Sequence, residues 1–278
     1  MKISANTKLL GIIGNPIEHS KSPEMHTAFA DLIGEDYIYT AFDVLAENLE
    51  MAIRGVKTLG MRGVNITSPH KFEVMKYLDE ISDDAKKFGS VNTVVNDNGK
   101  LIGYNTDAQG FLKSLEVVGC TVESKDIIIF GAGGATQPIV ILFAMRGAKS
   151  ITVINRTKSK AEALKQYVKN TIGFEISTEI EKSHYDIAIN TTTCGMSPQQ
   201  NISPTDRFDL IDETSVAADM IYNPKKTEFL LRAEERGAKV VNGFGMLIYQ
   251  GILAFELFSG KNLPKNAYKI GAEAVCDE

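Results

Sequence analysis

The sequence predicts an α/β protein that is built from two α/β domains. Short apolar runs of β-type residues alternate with longer segments of helical pattern, which favours parallel α/β units over a β-sandwich or a helix bundle. The alternation occurs in two blocks, and the second block opens with a glycine-rich turn. At 278 residues the chain also exceeds one average domain of roughly 150 residues.

The first block contains five strand candidates with helical segments between them. Its strand-like runs are residues 9–13, 37–42, 63–66, 93–95 and 101–104. Its helical segments are residues 23–33, 46–59 and 69–81. Because parallel α/β sheets bind ligands beyond the carboxyl ends of their strands, we expect a site in the loops that follow these runs.

The second block repeats the alternation with six strand candidates. These runs are residues 127–130, 151–154, 174–176, 187–189, 216–219 and 239–241. A helix over residues 108–118, with Asp107 as its N-cap and Gly119 at its end, is the expected connection between the blocks. The apolar tract 246–258 is interrupted by Gln250 and Glu256, and it therefore predicts a helix of a soluble protein rather than a membrane span.

Composition and charge exclude several classes of partner. The net charge of −5, without a stretch rich in Lys or Arg, argues against a nucleic-acid surface, whose affinity depends on neutralising phosphates. The apolar run 9–13 is too short for the core of a signal peptide. Cys120, Cys194 and Cys276 are widely spaced and form no C-x-x-C pair, so neither a disulfide framework nor a metal site is indicated. We expect a cytoplasmic protein with no nucleic-acid or membrane partner.

The glycine-rich segment lies directly after a buried strand candidate and before a helix. Gly131 would permit the tight turn, and Gly133 would let the backbone approach a pyrophosphate. The N-terminus of the following helix would supply amide donors to that group. Thr136 departs from the last position of the generic G-x-G-x-x-G/A pattern, and a simple tight strand-to-helix connection remains the alternative.

The end of the next strand indicates which dinucleotide would bind. NAD enzymes usually carry an Asp or Glu there for the ribose 2′-hydroxyl, whereas this sequence has Asn155, Arg156 and Thr157, followed by Lys158 and Lys160. A guanidinium can stack on adenine and pair with a 2′-phosphate, which an acid would repel. NADP is therefore favoured over NAD, with a solvated basic turn as the alternative.

A pair of serines precedes the first predicted helix. We expect Ser22 to be the N-cap and Pro23 the first helical residue, and this structural role alone would explain both. Ser20 is not needed for the cap. Two hydroxyls in the approach to a helix N-terminus would suit a carboxylate.

A lysine and an aspartate at two other strand ends suggest acid/base chemistry. Lys71 falls in the first turn of the helix predicted from Pro69, where the helix dipole disfavours a cation and thereby favours proton transfer from the amine. Asp107 follows another strand and could face Lys71, balancing its charge and holding it in place. An exposed lysine and a simple N-cap remain the alternatives.

Nine segments, in this order along the chain, resemble the shikimate dehydrogenase family. They are G-N-P-x-x-H-S-x-S-P from Gly14, V-N-I-T-x-P-x-K from Val64, S-V-N-T from Ser90, N-T-D from Asn105, G-A-G-G-A from Gly131, N-R-T from Asn155, N-T-T-x-x-G-M from Asn190, D-M-I-Y-N-P from Asp219 and G-M-L-x-x-Q from Gly245. Each motif is weak by itself, but the order is specific, and the resemblance covers nearly the whole chain.

The resemblance implies an activity and a division of the chain. The activity is the NADPH-dependent, reversible reduction of 3-dehydroshikimate to shikimate in chorismate and aromatic amino-acid biosynthesis. Residues 1–107 would form an N-terminal α/β substrate-binding domain, and residues 108–244 a Rossmann-like NADP-binding domain. Residues 245–278 would be a helical segment that returns to the substrate domain.

The resemblance also implies roles for single residues. Lys71 would be the general acid/base with Asp107 as its partner. The substrate carboxylate would be held by Ser20, Ser22 and Tyr222, and the ring hydroxyls by Asn65, Thr67, Asn92 and Gln250, in addition to Lys71 and Asp107. NADP would be bound by Gly131, Ala132, Gly133, Gly134, Ala135, Asn155, Arg156, Thr157, Lys160, Thr191, Met220 and Gly243, the last two near the nicotinamide.

Rival functions remain open at this point. A quinate/shikimate dehydrogenase of the same fold would accept an extra ring hydroxyl and often uses NAD, but Arg156 without an acidic neighbour speaks against it. A catalytically silent NADP-binding regulatory protein would need neither Lys71 nor Asp107. Gln137 and Pro138 alter the start of the dinucleotide helix and leave the cofactor affinity open. The oligomeric state is also open, with a homodimer as one option.

Overall fold

The structure is a computed structural model that describes residues 3–276. The chain forms two compact units. One unit contains the described residues up to Asp107 together with those from Ile248 onward, and the other contains Ala108–Leu247. Within residues 3–276, no helix has the length and apolarity that crossing a membrane requires.

The first unit is organised around a six-stranded sheet with the order β2-β1-β3-β5-β6-β4. Its strands are β1 (Lys8–Gly14), β2 (Tyr37–Asp43), β3 (Gly63–Ile66), β4 (Glu80–Ile81), β5 (Thr93–Asp97) and β6 (Lys100–Tyr104). β1 is parallel to β2 and β3, and β4 is parallel to β6. β5, however, is antiparallel to both of its neighbours, so the sheet is mixed rather than purely parallel.

The antiparallel β5–β6 pair follows from the shortness of the turn between these strands. Only Asn98 and Gly99 separate them, with φ values of +52° and +89°. Asn-Gly with two positive φ angles is the preferred two-residue turn of a β-hairpin, whereas a parallel connection needs a crossover of a dozen or more residues. Since β5 is also antiparallel to β3, it begins beside the last residues of β3, with Thr93 opposite Asn65.

The helices of the N-terminal part are α1 (Ser22–Ile33), α2 (Leu49–Thr58) and α3 (Asp83–Phe88). A 3₁₀ turn, Ala46–Asn48, precedes α2 within the segment predicted as one helix. The helix predicted over residues 69–81 is wrong, because this segment contains only a 3₁₀ helix (Glu73–Tyr77) followed by β4. Its backbone is tied to the sheet instead: the Lys71 carbonyl accepts from Val91 N–H at 2.8 Å. Asp79 N–H donates to the Leu101 carbonyl at 3.0 Å.

The second unit contains a five-stranded sheet with the order β11-β10-β9-β7-β8, and every pairing in it is parallel. Its strands are β7 (Asp126–Phe130), β8 (Ser150–Ile154), β9 (Ile187–Asn190), β10 (Val216–Asp219) and β11 (Lys239–Val241), and its helices are α4 (Asp107–Glu116), α5 (Thr136–Met145), α6 (Lys158–Ile172) and α7 (Glu228–Glu235). The apolar centre of β7 is fully buried, as expected for a parallel strand covered on both faces.

The strand predicted over residues 174–176 is wrong. The chain makes only an isolated bridge between Ser177 and Thr152, on the outer side of β8. Directly afterwards the Ser177 hydroxyl donates to the Glu179 carbonyl at 2.9 Å and accepts from Glu179 N–H at 3.2 Å. This local side-chain turn competes with further strand pairing.

The last two helices, α8 (Phe244–Ser259) and α9 (Ala267–Val275), complete the core of the first unit from Ile248 onward. Phe255 and Phe258 are fully buried. Two glycines allow close packing: a Cβ at Gly251 would lie 2.3 Å from Met25 Cε, and one at Gly271 would lie 2.8 Å from the Phe29 ring.

Candidate active site

The sheet of the first unit brings four polar segments to one edge. β1 and β3 run in the same direction and are followed by loops that begin at Asn15 and Thr67. β6 also ends at this edge, because Thr93 at the start of the antiparallel β5 pairs with Asn65 on one side and Tyr104 on the other. Side chains far apart in sequence therefore meet beyond the ends of these strands.

Lys71 and Asp107 form an ion pair at this edge. Lys71 Nζ lies 2.7 Å from Asp107 Oδ2, and the two side chains are 28% and 18% exposed. The second carboxylate oxygen, Oδ1, accepts from Asn92 Nδ2 at 2.9 Å. The carboxylate is thus held on both sides and fixes the ammonium, while both side chains remain partly exposed.

The structure corrects the reason given for Lys71. Lys71 precedes the 3₁₀ helix Glu73–Tyr77 and does not lie in the first turn of an α-helix. The helix N-terminus that the sequence predicted beside Lys71 is therefore absent. Its direct partner is Asp107, 36 residues later in the sequence.

Asn92 orients Asp107 through a side-chain amide whose nitrogen and oxygen each make two hydrogen bonds. Its Nδ2 donates to Asp107 Oδ1 and to Thr106 Oγ1, both at 2.9 Å. Its Oδ1 accepts from Thr106 N–H at 2.8 Å and from the Thr93 hydroxyl at 3.0 Å. Thr93 and Thr106 thus support the Lys71–Asp107 pair, although the sequence analysis gave them no role. They could have been recognised from the sequence, because they belong to the S-V-N-T and N-T-D motifs.

Asn65 continues this network along the end of β3. Its Nδ2 donates to the Asn92 carbonyl at 3.2 Å and to Thr93 Oγ1 at 3.1 Å. Its Oδ1 accepts from the Tyr39 hydroxyl at 2.8 Å. Tyr39 was not singled out from the sequence, because a tyrosine in an apolar strand run has no distinguishing pattern. Thr67 follows β3 directly, with its N–H bonded to the Ile13 carbonyl at 2.9 Å.

The predicted N-cap role of Ser22 is wrong. α1 begins at Ser22 itself, and the capping position is Lys21, which makes no side-chain cap bond to the helix. The Ser22 hydroxyl instead lies near the buried Tyr39 phenol, where it opposes the rise in the pKa of that phenol caused by burial. Ser22 N–H donates to Ser20 Oγ at 3.3 Å, which keeps the two serine side chains adjacent at the helix entrance.

Two further predicted substrate residues lie outside this cluster of strand ends. Gln250 belongs to α8, in the part of that helix that is assigned to the first unit. Tyr222 belongs to the second unit, after β10, and is 38% exposed.

The glycine loop of the second unit requires glycine at its first position. Gly131 has φ +118°, and a Cβ there would lie 2.4 Å from Thr191 Oγ1. Gly131 N–H donates to the Ile154 carbonyl at 2.8 Å, which ties the loop to the end of β8. Gly133, in contrast, is exposed, and no atom lies within 4 Å of the position of an added Cβ.

Thr136, the departure from the generic fingerprint, has a local function. Its hydroxyl accepts from Gly133 N–H at 3.1 Å and lies 2.8 Å from Thr191 Oγ1. Thr191 in turn donates to the Phe130 carbonyl at 2.9 Å. The hydroxyl thereby links the loop to the end of β9, while Gly134 and Ala135 remain exposed before α5 begins.

The segment after β8 combines a half-buried link with exposed basic residues. Asn155 Oδ1 accepts from Ala132 N–H at 3.1 Å, and its Nδ2 donates to the Thr157 carbonyl at 2.9 Å. Arg156 and Lys160 are exposed beside this link. The arrangement presents positive charge next to the open glycine loop, with no carboxylate between residues 155 and 160.

The ends of β9 and β10 contain a buried carboxylate that sequence reasoning did not assign. Asp219 accepts from Thr227 Oγ1 at 2.7 Å, Ile221 N–H at 2.9 Å and Asn190 Nδ2 at 3.0 Å. Burial raises the pKa of Asp219, and these three bonds oppose that rise. Asn190 is the first residue of the N-T-T-x-x-G-M motif and Asp219 the first residue of D-M-I-Y-N-P. These positions could have identified both residues from the sequence.

Gly243 lies directly against the residue that follows Asp219. A Cβ at Gly243 would lie 2.0 Å from the Met220 carbonyl oxygen, so only glycine fits there. Its N–H donates to the Ile221 carbonyl at 2.9 Å. Met220 and Gly243, predicted to lie near one ligand group, are therefore neighbours. Among residues 3–276, no three His, Cys, Asp or Glu side chains are grouped to hold a metal ion.

Comparison with known proteins gives concordant matches along the chain. The family models that match are the shikimate dehydrogenase substrate binding domain over residues 12–94, shikimate/quinate 5-dehydrogenase over residues 114–202, and the shikimate 5′-dehydrogenase C-terminal domain over residues 243–267. The chain is 43% identical over 271 residues to a shikimate dehydrogenase (NADP(+)) of Alkaliphilus oremlandii, covering 94% of this chain and 95% of that protein.

Solved structures show the same similarity. A crystal structure of a shikimate dehydrogenase in complex with NADP+ has a TM-score of 0.91 and 41% identity, covering 99% of this chain and 96% of that chain. The shikimate 5-dehydrogenase of Listeria monocytogenes, in complex with shikimate and NAD, has a TM-score of 0.91 and 34% identity, covering 97% of each chain. The predicted α/β fold class with a Rossmann-like second domain is thereby confirmed.

Proposed function

The chain belongs to the shikimate dehydrogenase family, and on this basis we propose that it catalyses the reversible reduction of 3-dehydroshikimate to shikimate with NADPH, a step of chorismate and aromatic amino-acid biosynthesis. The observation that carries the proposal is the Lys71–Asp107 pair, with Nζ and Oδ2 2.7 Å apart. The pair lies among the hydroxyl and amide groups of one sheet edge. These groups suit a small acid that carries several hydroxyls.

Lys71 is the proposed general acid/base. Reduction of a ketone places negative charge on its oxygen, and a proton must reach that oxygen as the charge develops. The Lys71 ammonium, held by Asp107, donates this proton in the reduction and recovers it in the oxidation. Acid/base assistance of this kind contributes about 10² to 10⁴ in rate.

The remaining polar residues are proposed to hold the substrate in one orientation. Hydroxyl groups of Ser20, Ser22 and Tyr222 would bind its carboxylate, which prefers several directed donors. The ring hydroxyls would be bound by Asn65, Thr67, Asn92 and Gln250. In the described network both Nδ2 hydrogens of Asn92 are already engaged, so Asn92 contributes chiefly by fixing Asp107. Holding both reactants in one geometry replaces a bimolecular encounter and contributes several kcal/mol.

The glycine loop and the basic segment fit NADP. The open space around Gly133 and the amide groups at the start of α5 suit a pyrophosphate. When bound, NADPH supplies the hydride to the carbonyl carbon. Residues 108–244 are the proposed cofactor domain, and residues 1–107 with residues 245–278 the substrate domain. The proposed cofactor contacts are Gly131, Ala132, Gly133, Gly134, Ala135, Asn155, Arg156, Thr157, Lys160, Thr191, Met220 and Gly243.

The proposal also covers partners and location. The net charge of −5 supports small-molecule ligands rather than nucleic acid. A biosynthetic reductase that uses NADPH is expected in the cytoplasm. Size-exclusion chromatography with light scattering tests whether the enzyme is a homodimer.

The deciding experiment offers the enzyme shikimate or quinate, each with NADP or NAD, and follows the absorbance of the reduced cofactor. We expect turnover of shikimate with NADP to exceed turnover of shikimate with NAD by at least about tenfold in kcat/KM, because Arg156 can pair with the 2′-phosphate. Shikimate should also be turned over faster than quinate, which carries an extra ring hydroxyl. The Listeria relative crystallised with NAD makes the cofactor comparison informative. Turnover only with quinate and NAD would overturn the proposal.

A further inference from the structure

Tyr39 and His26 form a buried aromatic stack in the first unit. Tyr39, on β2, is 6% exposed, and His26, on α1, is 1% exposed. Their ring centroids are 4.4 Å apart and the rings are parallel to within 5°. The Tyr39 hydroxyl projects from this stack to Asn65 Oδ1, at 2.8 Å. None of the roles proposed above uses either residue.

The directions of the hydrogen bonds around Asn65 can be deduced from its neighbours. The Asn92 carbonyl can only accept, so the group that faces it at 3.2 Å must be the amide nitrogen of Asn65. The second hydrogen of that nitrogen is used by Thr93 Oγ1 at 3.1 Å. The oxygen of the same amide therefore faces Tyr39, and the Tyr39 hydroxyl must donate to it.

This assignment limits what Asn65 can offer to a ligand. Both of its hydrogens are used within the protein, and one of the two lone pairs on Oδ1 is used by Tyr39. One lone pair remains. Asn65 can therefore accept a hydrogen bond from a ligand but cannot donate one.

We propose that Tyr39, held flat against His26, is a positioning residue that fixes Asn65 as an acceptor, so that the site selects a substrate hydroxyl at this position over a hydrogen atom or a carbonyl. The inference rests on the proposed function, because it requires that Asn65 binds a ring hydroxyl. It adds a specific reason for the selection: a carbonyl would place two acceptors against each other, and a missing hydroxyl would leave a lone pair unpaired.

The surroundings keep Tyr39 a donor and hold its ring in place. Burial raises the pKa of the Tyr39 hydroxyl well above its ordinary value, so it retains its proton throughout the range in which the enzyme would work. His26 is completely buried and both of its ring nitrogens lack a hydrogen-bond partner within the described residues. Its neutral ring offers the phenol a flat face without competing for the hydroxyl, and Phe255 and Phe258 enclose it from other sides.

The test variant is Tyr39→Phe, which keeps the ring and its stacking and removes only the hydroxyl. Any effect of this change through the neighbouring Ser22 is common to all three substrates, because each carries the same carboxylate. The matched control is Tyr37→Phe, in the same strand and on the same face, where the ring packs edge-on against Phe255. Thermal unfolding of both variants establishes that they fold. The substrates are shikimate and its two analogues that lack one of the hydroxyls not oxidised in the reaction, each with saturating NADP.

We expect Tyr39→Phe to raise the KM for shikimate about tenfold, to change kcat less than about threefold, and to leave the KM for NADP unchanged. In the wild type, one of the two analogues should lose at least about tenfold more kcat/KM than the other, and Tyr39→Phe should remove most of this difference. Tyr37→Phe should retain it. A merely structural role for Tyr39 would lower all three kcat/KM values by the same factor.

The outcomes separate this inference from the proposed function. Wild-type turnover of shikimate with NADP tests the function alone. With that turnover present, an equal loss for all three substrates in Tyr39→Phe, or unchanged discrimination between the analogues, overturns the role of Tyr39. A rise in KM together with lost discrimination at one hydroxyl supports it.

Discussion

At the scale of single residues, the proposed chemistry depends on how Asp107 is held. Its two carboxylate oxygens are used by different partners, Lys71 and Asn92, and the Asn92 amide is itself held by Thr93 and Thr106. Each of these side chains is hydrogen-bonded to the next, so the position of the Lys71 ammonium is determined by a chain of short-range contacts. A charge held in this way needs little rearrangement when a substrate arrives.

Replacing Lys71 with alanine tests the acid/base role. We expect kcat to fall by at least about 100-fold, because the alkoxide loses its proton donor. The free energy of unfolding should change little, since partly exposed ion pairs contribute about 0 to 1 kcal/mol. Lys76→Ala is the matched control, because this exposed lysine pairs with Glu73 at 2.8 Å nearby in the chain. A fall in kcat of less than about tenfold in Lys71→Ala would contradict the role.

The buried His26 predicts a specific pH dependence of stability. Burial lowers its pKa from 6.5 to about 3, so the folded protein keeps this imidazole neutral in mild acid while the unfolded chain protonates it. Protonation therefore stabilises the unfolded state as the pH falls below 6.5. Between about pH 7.5 and pH 5 this should remove about 2 kcal/mol from the free energy of unfolding.

His26→Phe should remove this contribution and keep a flat ring against Tyr39. Urea unfolding at the two pH values should show a decrease for the wild type that exceeds the decrease for the variant by about 2 kcal/mol. The difference between the two proteins isolates His26, since the other titrating groups are common to both. Equal decreases would show that the imidazole is protonated in the folded state.

At the scale of elements, sequence patterns located most strands and several helices, and the largest error, the helix predicted over residues 69–81, has a long-range cause. The strand over residues 63–66 was predicted with its observed bounds, and the glycine turn was placed between β7 and α5 as observed. The segment 69–81 has a helical pattern, but its backbone forms hydrogen bonds with Val91 and Leu101 instead. Such bonds join residues about twenty positions apart, so a local sequence pattern does not predict them.

The glycine loop gives a prediction at this scale. Gly133→Ala should leave the free energy of unfolding within about 0.5 kcal/mol of the wild type, because an added Cβ meets no atom within 4 Å. NADP affinity should fall at least about tenfold, since the methyl group would occupy the approach of the pyrophosphate. Isothermal titration calorimetry measures this affinity directly.

The control for this variant is Gly55→Ala in α2, where an added Cβ also meets open space. Alanine in a helix interior stabilises by up to about 1 kcal/mol relative to glycine. We expect Gly55→Ala to keep NADP affinity unchanged. If Gly133→Ala also binds NADP like the wild type, the loop does not contact the pyrophosphate.

At the scale of the whole molecule, the first unit is discontinuous in sequence. Its core is completed by residues after Ile248, and Arg62 anchors the end of α8 through a 2.6 Å bond from its Nε to the Phe258 carbonyl. The Phe258 ring packs over Gly63, where a Cβ would lie 2.6 Å from Phe258 Cε1. Neither the N-terminal nor the C-terminal part can therefore form this core alone.

Two phenylalanines allow the units to be tested separately. Phe258→Ala should lower the stability of the first unit by about 3 to 5 kcal/mol, because a fully buried ring is lost. Amide hydrogen exchange should accelerate in β1 and β3 more than in β7 and β9. Phe229→Ala, which removes a buried ring in the second unit, should show the opposite pattern. Equal acceleration in both sheets for both variants would mean that the chain unfolds as one unit.

The sequence alone determined the two α/β blocks, the dinucleotide turn and the residue types for acid/base chemistry, because hydrophobic period, glycine placement and motif order are local properties. The tertiary structure decided the position of β5 between β3 and β6, the pairing of Lys71 with Asp107, and the Tyr39 contact to Asn65. The last two join residues 36 and 26 positions apart. Such contacts depend on strand order and direction in the sheet, and for the same reason Ser22 was predicted as a helix cap although its hydroxyl lies near Tyr39 of the neighbouring strand β2.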